Sequence, residues 1–231
     1  MASRPLRRDQ SLLLAASVVA FVLWVFPLGR MLILPLVYLN THLHELCHAL
    51  AAVFTGGSAE RILVFWDGSG VTPILGGWLP VVASAGYVGA MVIGAGMIYF
   101  GRSERGAKLI LAGVGSLLVV SLLVWVRNDA GWITGLLWAA ALLLMARFTK
   151  GETAVFAVQF IGVQQILAAG LSILTLLRIS TGTEKQSDAQ LMASATGFPA
   201  IVWASLYAGL AVLLTFLTLK AAWHEKPGER G

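Results

Sequence analysis

The chain has 231 residues, 58% of them hydrophobic and 12% charged, with a mean hydropathy of +0.83. A soluble domain carries about a quarter charged residues, so the composition excludes one. The formal charge is +5 and the isoelectric point is near 9.7, but Lys and Arg stand in short clusters between apolar runs, as at membrane flanks, which excludes nucleic acid as the partner.

The apolar residues fall in runs of about 20, the length that crosses a bilayer core. They predict an all-α polytopic membrane protein, one membrane-embedded domain over 1–231, with about six to seven transmembrane helices. In chain order, residues 1–10 form a basic tail with Arg4, Arg7 and Arg8. The tail and the run after it resemble a signal peptide without a small-residue cleavage site, so an uncleaved first span is expected. The candidate spans are 11–28, 31–53, 79–100, 107–126, 131–148, 153–177 and 199–221. Pro27-Leu28-Gly29-Arg30 reads as a tight turn between the first two. In the 54–78 connection, Arg61–Trp66 and Val71–Leu75 are β-prone runs around Asp67-Gly68, which predicts a β-hairpin. It is too apolar for a solvated loop and is expected to lie against the bundle or the bilayer surface. Residues 178–198, with Glu184, Lys185, Gln186, Ser187 and Asp188, read as a polar loop, and 222–231 as a polar C-terminal tail with His224. Gly86, Gly89, Gly94 and Gly96 read as close-packing sites. Trp78, Trp125, Trp132, Trp138, Trp203 and Trp223 read as an interfacial belt. Gln159, Gln164 and Gln165 are amides expected to bond between helices. The single cysteine, Cys47, excludes an intrachain disulfide.

The second span holds His44-Glu45-Leu46-Cys47-His48. Residues four apart share a helix face, so His44 and His48 can offer two imidazole nitrogens to one metal ion, with Glu45 beside them as a general base toward water. Ionisable side chains inside a membrane helix are costly and mark functional sites. A catalytic zinc takes a third protein ligand and keeps one position open. With seven spans, the end of the second span, the 54–78 connection, the 127–130 turn and the 178–198 loop share one side of the membrane. Asp188, just before an apolar helix on that side, ranks first as third ligand. Asp129 ranks second, beside Arg127 at a helix flank. Glu60 and Asp67 lie in the hairpin, where Asp67 reads as the turn residue. His42 is offset from the metal face, and Cys47 is a thiolate candidate whose simpler role is packing.

His44-Glu45-Leu46-Cys47-His48-Ala49-Leu50 followed by Thr55-Gly56-Gly57 resembles the site-2 protease family of intramembrane zinc metalloproteases, in a compact bacterial branch. Asp67-Gly68-Ser69-Gly70-Val71-Thr72, the small-residue segment Ala83–Gly89, and Ser187-Asp188-Ala189 before Thr196-Gly197-Phe198-Pro199 extend the likeness. In this chain Cys47 stands where the family motif has glycine, Asp188 lacks the family's Asp-Gly context, and the third span lacks the family's Gly-Pro-x-x-Asn. The resemblance implies Zn2+ held by His44, His48 and Asp188, with Glu45 as catalytic base. It also implies a membrane-protein substrate with a transmembrane segment, and an integral, multi-pass protein in the lipid bilayer of a bacterial cell. An edge of the 61–75 hairpin could hold that substrate extended by strand addition. Two other readings use the same residues. One is a non-proteolytic membrane protein with a structural or scaffold metal site. The other is a metal-handling transporter with His42, His44, His48 and Cys47 as transit site, although transport predicts ionisable residues along several spans and this chain has almost none. The sequence assigns no oligomeric state.

Overall fold

Phe26 breaks the first long helical run: its backbone is extended, at φ −86° and ψ 136°, and Pro27 restarts the helix. Proline suits a first helical position because its missing N–H would be unpaired there anyway. The expected turn over 27–30 is therefore the first turn of a helix, with Phe26 alone as the joint. The computed structural model describes residues 6–179 and 187–224. Arg4, Glu184, Lys185 and Gln186, named above, lie outside the described residues.

Among the described residues there are eight helices: α1 (Arg8–Val25), α2 (Pro27–Phe54), α3 (Leu79–Phe100), α4 (Glu104–Val124), α5 (Asp129–Phe148), α6 (Gly151–Ile179), α7 (Asp188–Thr196) and α8 (Ala200–His224). Six are long and apolar enough to cross a membrane: α1, α3, α4, α5, α6 through Leu171, and α8. The chain is an integral, multi-pass membrane protein. The motif helix α2 has ample length at 28 residues, but Asn40, Thr41, His42, His44, Glu45 and His48 lower its apolar content, which separates it from the other six. Instead it is a central helix. Leu39, Leu43, Ala49 and Ala52 have no exposed surface, and polar side chains are tolerated because protein rather than lipid surrounds them. Phe21, Leu123, Leu137, Val212 and Phe216 are exposed on the outer helices, as lipid-facing residues are.

Between α2 and α3 the chain forms two nested antiparallel ribbons. The outer one pairs β1 (Ser58–Ala59) with β4 (Ile74–Leu75), and the inner one pairs β2 (Leu63–Val64) with β3 (Gly70–Val71) in the register Leu63–Val71 and Val64–Gly70. The Asp67 carboxylate closes the tip by accepting from Ser69 N–H at 2.9 Å and Ser69 Oγ at 2.6 Å, while Gly68 takes φ +84°. The hairpin lies on the bundle, as expected from its apolar composition: Ile62 and Val64 are fully buried with Ala49, Leu122 and Val126.

The outer edge of β2 is occupied. Ile62 bridges in parallel to Val126, with Ile62 N–H donating to Trp125 O at 2.8 Å and Arg127 N–H to Ile62 O at 3.1 Å. Asn128 continues this edge with its side-chain amide, donating to Val64 O at 2.6 Å and accepting from Val64 N–H at 3.2 Å.

The expected polar loop over 178–198 contains α7. Its start is a capping box, in which Ser187 Oγ accepts from Gln190 N–H at 3.3 Å and Gln190 Oε1 accepts from Ser187 N–H at 3.0 Å. Gly197, at φ +77°, ends it in the left-handed conformation that glycine takes without a Cβ clash. Ala189 is buried with Met91, Ala204 and Tyr207, which fixes α7 against α3 and α8, and Met192 is buried as well.

Candidate metal centre

One turn of α2 separates His44 from His48, and their Nε2 atoms stand 3.1 Å apart. The N-terminal residue of α7 enters from the other side: Asp188 Oδ2 is 3.3 Å from His44 Nε2 and 3.2 Å from His48 Nε2. Ligand atoms bound at about 2.0–2.2 Å to one tetrahedral ion stand about 3.3–3.6 Å apart, and these separations, at or slightly below that range, suit a donor set around a single small cation. Among the described residues His44, His48 and Asp188 form such a group.

The chemistry of these atoms fits a cation. His48 Nδ1 lies 2.7 Å from Val82 O, a contact that requires the proton on Nδ1 and, in the neutral ring, turns the Nε2 lone pair toward the site. Asp188 Oδ2 is buried with no hydrogen-bond donor directed at it. Its place at the start of α7 also sets the negative charge at the positive end of the helix dipole.

Space for an ion comes from Gly86 of α3. A Cβ there would sit 2.3 Å from His48 Nε2 and 2.4 Å from His44 Nε2, close to metal–nitrogen bonding distance from both. Any side chain at this position would enter the volume between the imidazoles. The aromatic wall beside it is Tyr87, whose ring meets His44 edge-on with centroids 4.7 Å apart and stacks on Tyr207 at 5.8 Å. Tyr207 Oη is 3.0 Å from Ser84 Oγ, which links α8 to α3 next to the site.

Glu45 follows His44 on α2 and is 6% exposed. Its Oε2 accepts a hydrogen bond from Thr72 Oγ1 at 2.7 Å, so the hairpin touches the carboxylate directly. The other candidates lie elsewhere. Asp129 opens α5 and is outside the group. Asp67 closes the hairpin tip, as its turn reading predicts. His42 Nε2 pairs with Thr134 Oγ1 of α5 at 2.9 Å, on another face of α2. Cys47 faces Gly89, where a Cβ would lie 2.4 Å from its Sγ, so the thiol packs against α3. Glu60 donates its N–H to Pro73 O at 3.0 Å within the outer ribbon and is outside the group.

A family model described as Peptidase M50B-like matches residues 13–218. The chain belongs to that family. The match spans His44, Glu45, Thr72, Gly86 and Asp188, and it agrees with the resemblance to site-2 proteases carried by the α2 motif. Membership makes this a chain of a membrane metallopeptidase family. Comparison with curated proteins and with solved structures returns no match.

Val82, Gly86, Thr72 and Tyr87 were not singled out as functional by their sequence context. Gly86 was legible only as a small residue for helix packing. Thr72 and Tyr87 lie in the segments Asp67–Thr72 and Ala83–Gly89 that extend the family likeness, but nothing local gives either a role, and Val82 carries no pattern, since each is defined by what it faces across 27 to 43 residues of chain.

Proposed function

We propose that this chain is a zinc endopeptidase that hydrolyses peptide bonds of a membrane-embedded protein substrate. The observation that carries the reading is the convergence of His44 Nε2, His48 Nε2 and Asp188 Oδ2 within 3.3 Å of one another, with Glu45 adjacent on the same helix. His44, His48 and Asp188 would hold Zn2+, which when bound lowers the pKa of water to about 7 and polarises a carbonyl. Glu45 takes a proton from the attacking water and delivers it to the leaving amine, the two halves of general acid–base catalysis. Val82 O holds the His48 ring in its ligating tautomer, and Tyr87 limits rotation of His44.

The substrate is a transmembrane segment that has been locally unwound, because helical carbonyls are engaged in i→i−4 bonds and unreachable by a nucleophile. Strand addition to the hairpin would keep it extended. The outer edge of β2 is taken by Trp125–Asn128, which leaves the 70–75 arm, next to Glu45, for this role.

The test is metal analysis and cleavage of a transmembrane test substrate by purified wild type beside Glu45→Gln. Wild type is expected to contain zinc and cleave; Glu45→Gln is expected to contain zinc and fail to cleave. A metal-free or inactive wild type would overturn the proposal, and cleavage by Glu45→Gln would remove Glu45 from the mechanism. Asp188→Ala is expected to lose zinc, whereas Asp129→Ala keeps it; the reverse pattern would reassign the third ligand.

A further inference from the structure

Of the contacts between the hairpin and α2, one differs in kind. Tyr38 Oη donates to Trp66 O at 2.6 Å, and Thr41 Oγ1 donates to Gly68 O at 2.6 Å; both reach backbone. Gly70 approaches so closely that a Cβ would lie 2.8 Å from Glu45 Cγ and 2.8 Å from Glu45 Oε1. Thr72 Oγ1 instead reaches a carboxylate oxygen, Glu45 Oε2, at 2.7 Å, with the Glu45 carbonyl farther off at 3.3 Å. A hydroxyl has one proton to donate, and the charged acceptor at the shorter distance takes it.

The backbone around Thr72 is held on both sides. β3 ends at Val71, directly before it, and β4 starts at Ile74, two residues after it. Pro73 follows and restricts residue 72 to extended geometry. Pro73 O accepts from Glu60 N–H at 3.0 Å, locking this corner to the outer ribbon. Threonine is branched at Cβ and stiff at χ1, so the hydroxyl is presented in one direction. The donor is therefore rigid, while the carboxylate it meets sits on a side chain with three rotatable bonds.

We infer that Thr72 is a positioning residue for Glu45: through its hydroxyl the hairpin fixes the orientation of the carboxylate that acts as base. Gly70 takes part by leaving room for that carboxylate beneath β3. The arm proposed to receive substrate and the residue that orients the base are thus one segment, Gly70–Leu75. This assignment rests on the peptidase reading above, and the experiment separates the two.

Wild type, Glu45→Gln, Thr72→Val, Thr72→Ser and Thr41→Val are compared as full-length proteins for zinc content, kcat and KM on one transmembrane test substrate. Affinity for a peptide hydroxamate is measured alongside; its N–H and O–H donors probe the carboxylate orientation without turnover. Thr72→Val keeps the shape of threonine and removes the donor. It is expected to retain zinc and KM while kcat and hydroxamate affinity each fall about tenfold or more, the cost of losing a hydrogen bond to a charged group. Thr72→Ser is expected to restore most of both. Thr41→Val removes a hairpin tether that does not touch the carboxylate and is expected to leave hydroxamate affinity unchanged. The inference fails if Thr72→Val matches wild type in kcat and hydroxamate affinity, if Thr72→Ser gives no rescue, or if Thr41→Val causes the same losses, the signature of a purely structural tether. Absence of cleavage by zinc-loaded wild type would instead defeat the peptidase reading itself.

Discussion

Gly86 shows how one side chain can set the capacity of the centre. Between the imidazoles of His44 and His48 its α-carbon presents only hydrogen, and a methyl group would stand 2.3 to 2.5 Å from three ring atoms. Those rings cannot retreat freely, since His48 is held by Val82 O and His44 lies against Tyr87. Gly86→Ala is therefore expected to lower zinc affinity by about tenfold or more, the scale seen when groups around metal ligands are disturbed. Helix content should persist, because α3 already tolerates small residues here. Competition against a chelator, with circular dichroism as control, checks this; unchanged affinity would show that the ion does not use this volume. His44, Glu45 and His48 were legible in the sequence because their relation is local, a single turn of helix. Gly86 was legible only as small, since what it makes room for lies across a helix interface.

Among the elements, α7 carries the largest difference between expectation and structure. Polar composition suggested a loop over 178–198, yet Ser187-Asp188-Ala189-Gln190 is a capping-box sequence and Gly197 a helix stop, so the nine-residue helix was written in local signals that composition masked. The cap matters because Asp188 is the next residue. Ser187→Ala removes the bond to Gln190 N–H, a loss of about 1 kcal/mol of local stability. If α7 order presents the carboxylate, zinc affinity should weaken by roughly fivefold, which corresponds to that energy. A chelator titration showing no change would mean that α3 and α8 packing alone places Asp188. The hairpin is the opposite case. Asp67-Gly68 announced its turn, but no sequence pattern announced that Asn128, 64 residues from Val64, would cap the β2 edge with its side chain.

Helices α1 and α8 are fastened to each other at one end by basic side chains that sequence context marked only as membrane flanks. Arg7 Nη1 donates to Trp223 O at 3.0 Å and its Nη2 to Ala222 O at 3.0 Å, while Gln10 Nε2 donates to Trp223 O at 2.8 Å. Arg102, buried at 9% exposure, adds a bond from Nη1 to Ala222 O at 3.2 Å, bringing in the end of α3. Carbonyls at a helix C-terminus lack intrahelical donors and carry partial negative charge, so cationic donors there are favourable. Arg102→Ala is expected to cost about 1.5–3 kcal/mol, the worth of a charged hydrogen bond. At about 2–4 °C per kcal/mol for a chain of this size, the melting temperature should fall by several degrees. A thermal melt in detergent identical to wild type would assign no stabilising role to this closure. Two amides of α6 serve a related purpose: Gln164 Oε1 accepts from Trp24 Nε1 at 2.8 Å and Gln159 Nε2 donates to Asp9 O at 3.4 Å, tying α6 to α1, whereas the Gln165 amide has no hydrogen-bond partner among the described residues.

Apolar run length and a four-residue histidine spacing determined by themselves that this chain enters a bilayer and that α2 can present two ligands and a base. Both are short-range properties of helical geometry and of transfer from water to lipid. Only the packed structure decided that Asp188 meets the two imidazoles, that Gly86 clears the space between them, and that Thr72 grips Glu45. Those relations join residues far apart in the chain, and they arise from how α3, α7 and the hairpin pack around α2, where no local periodicity leaves a trace.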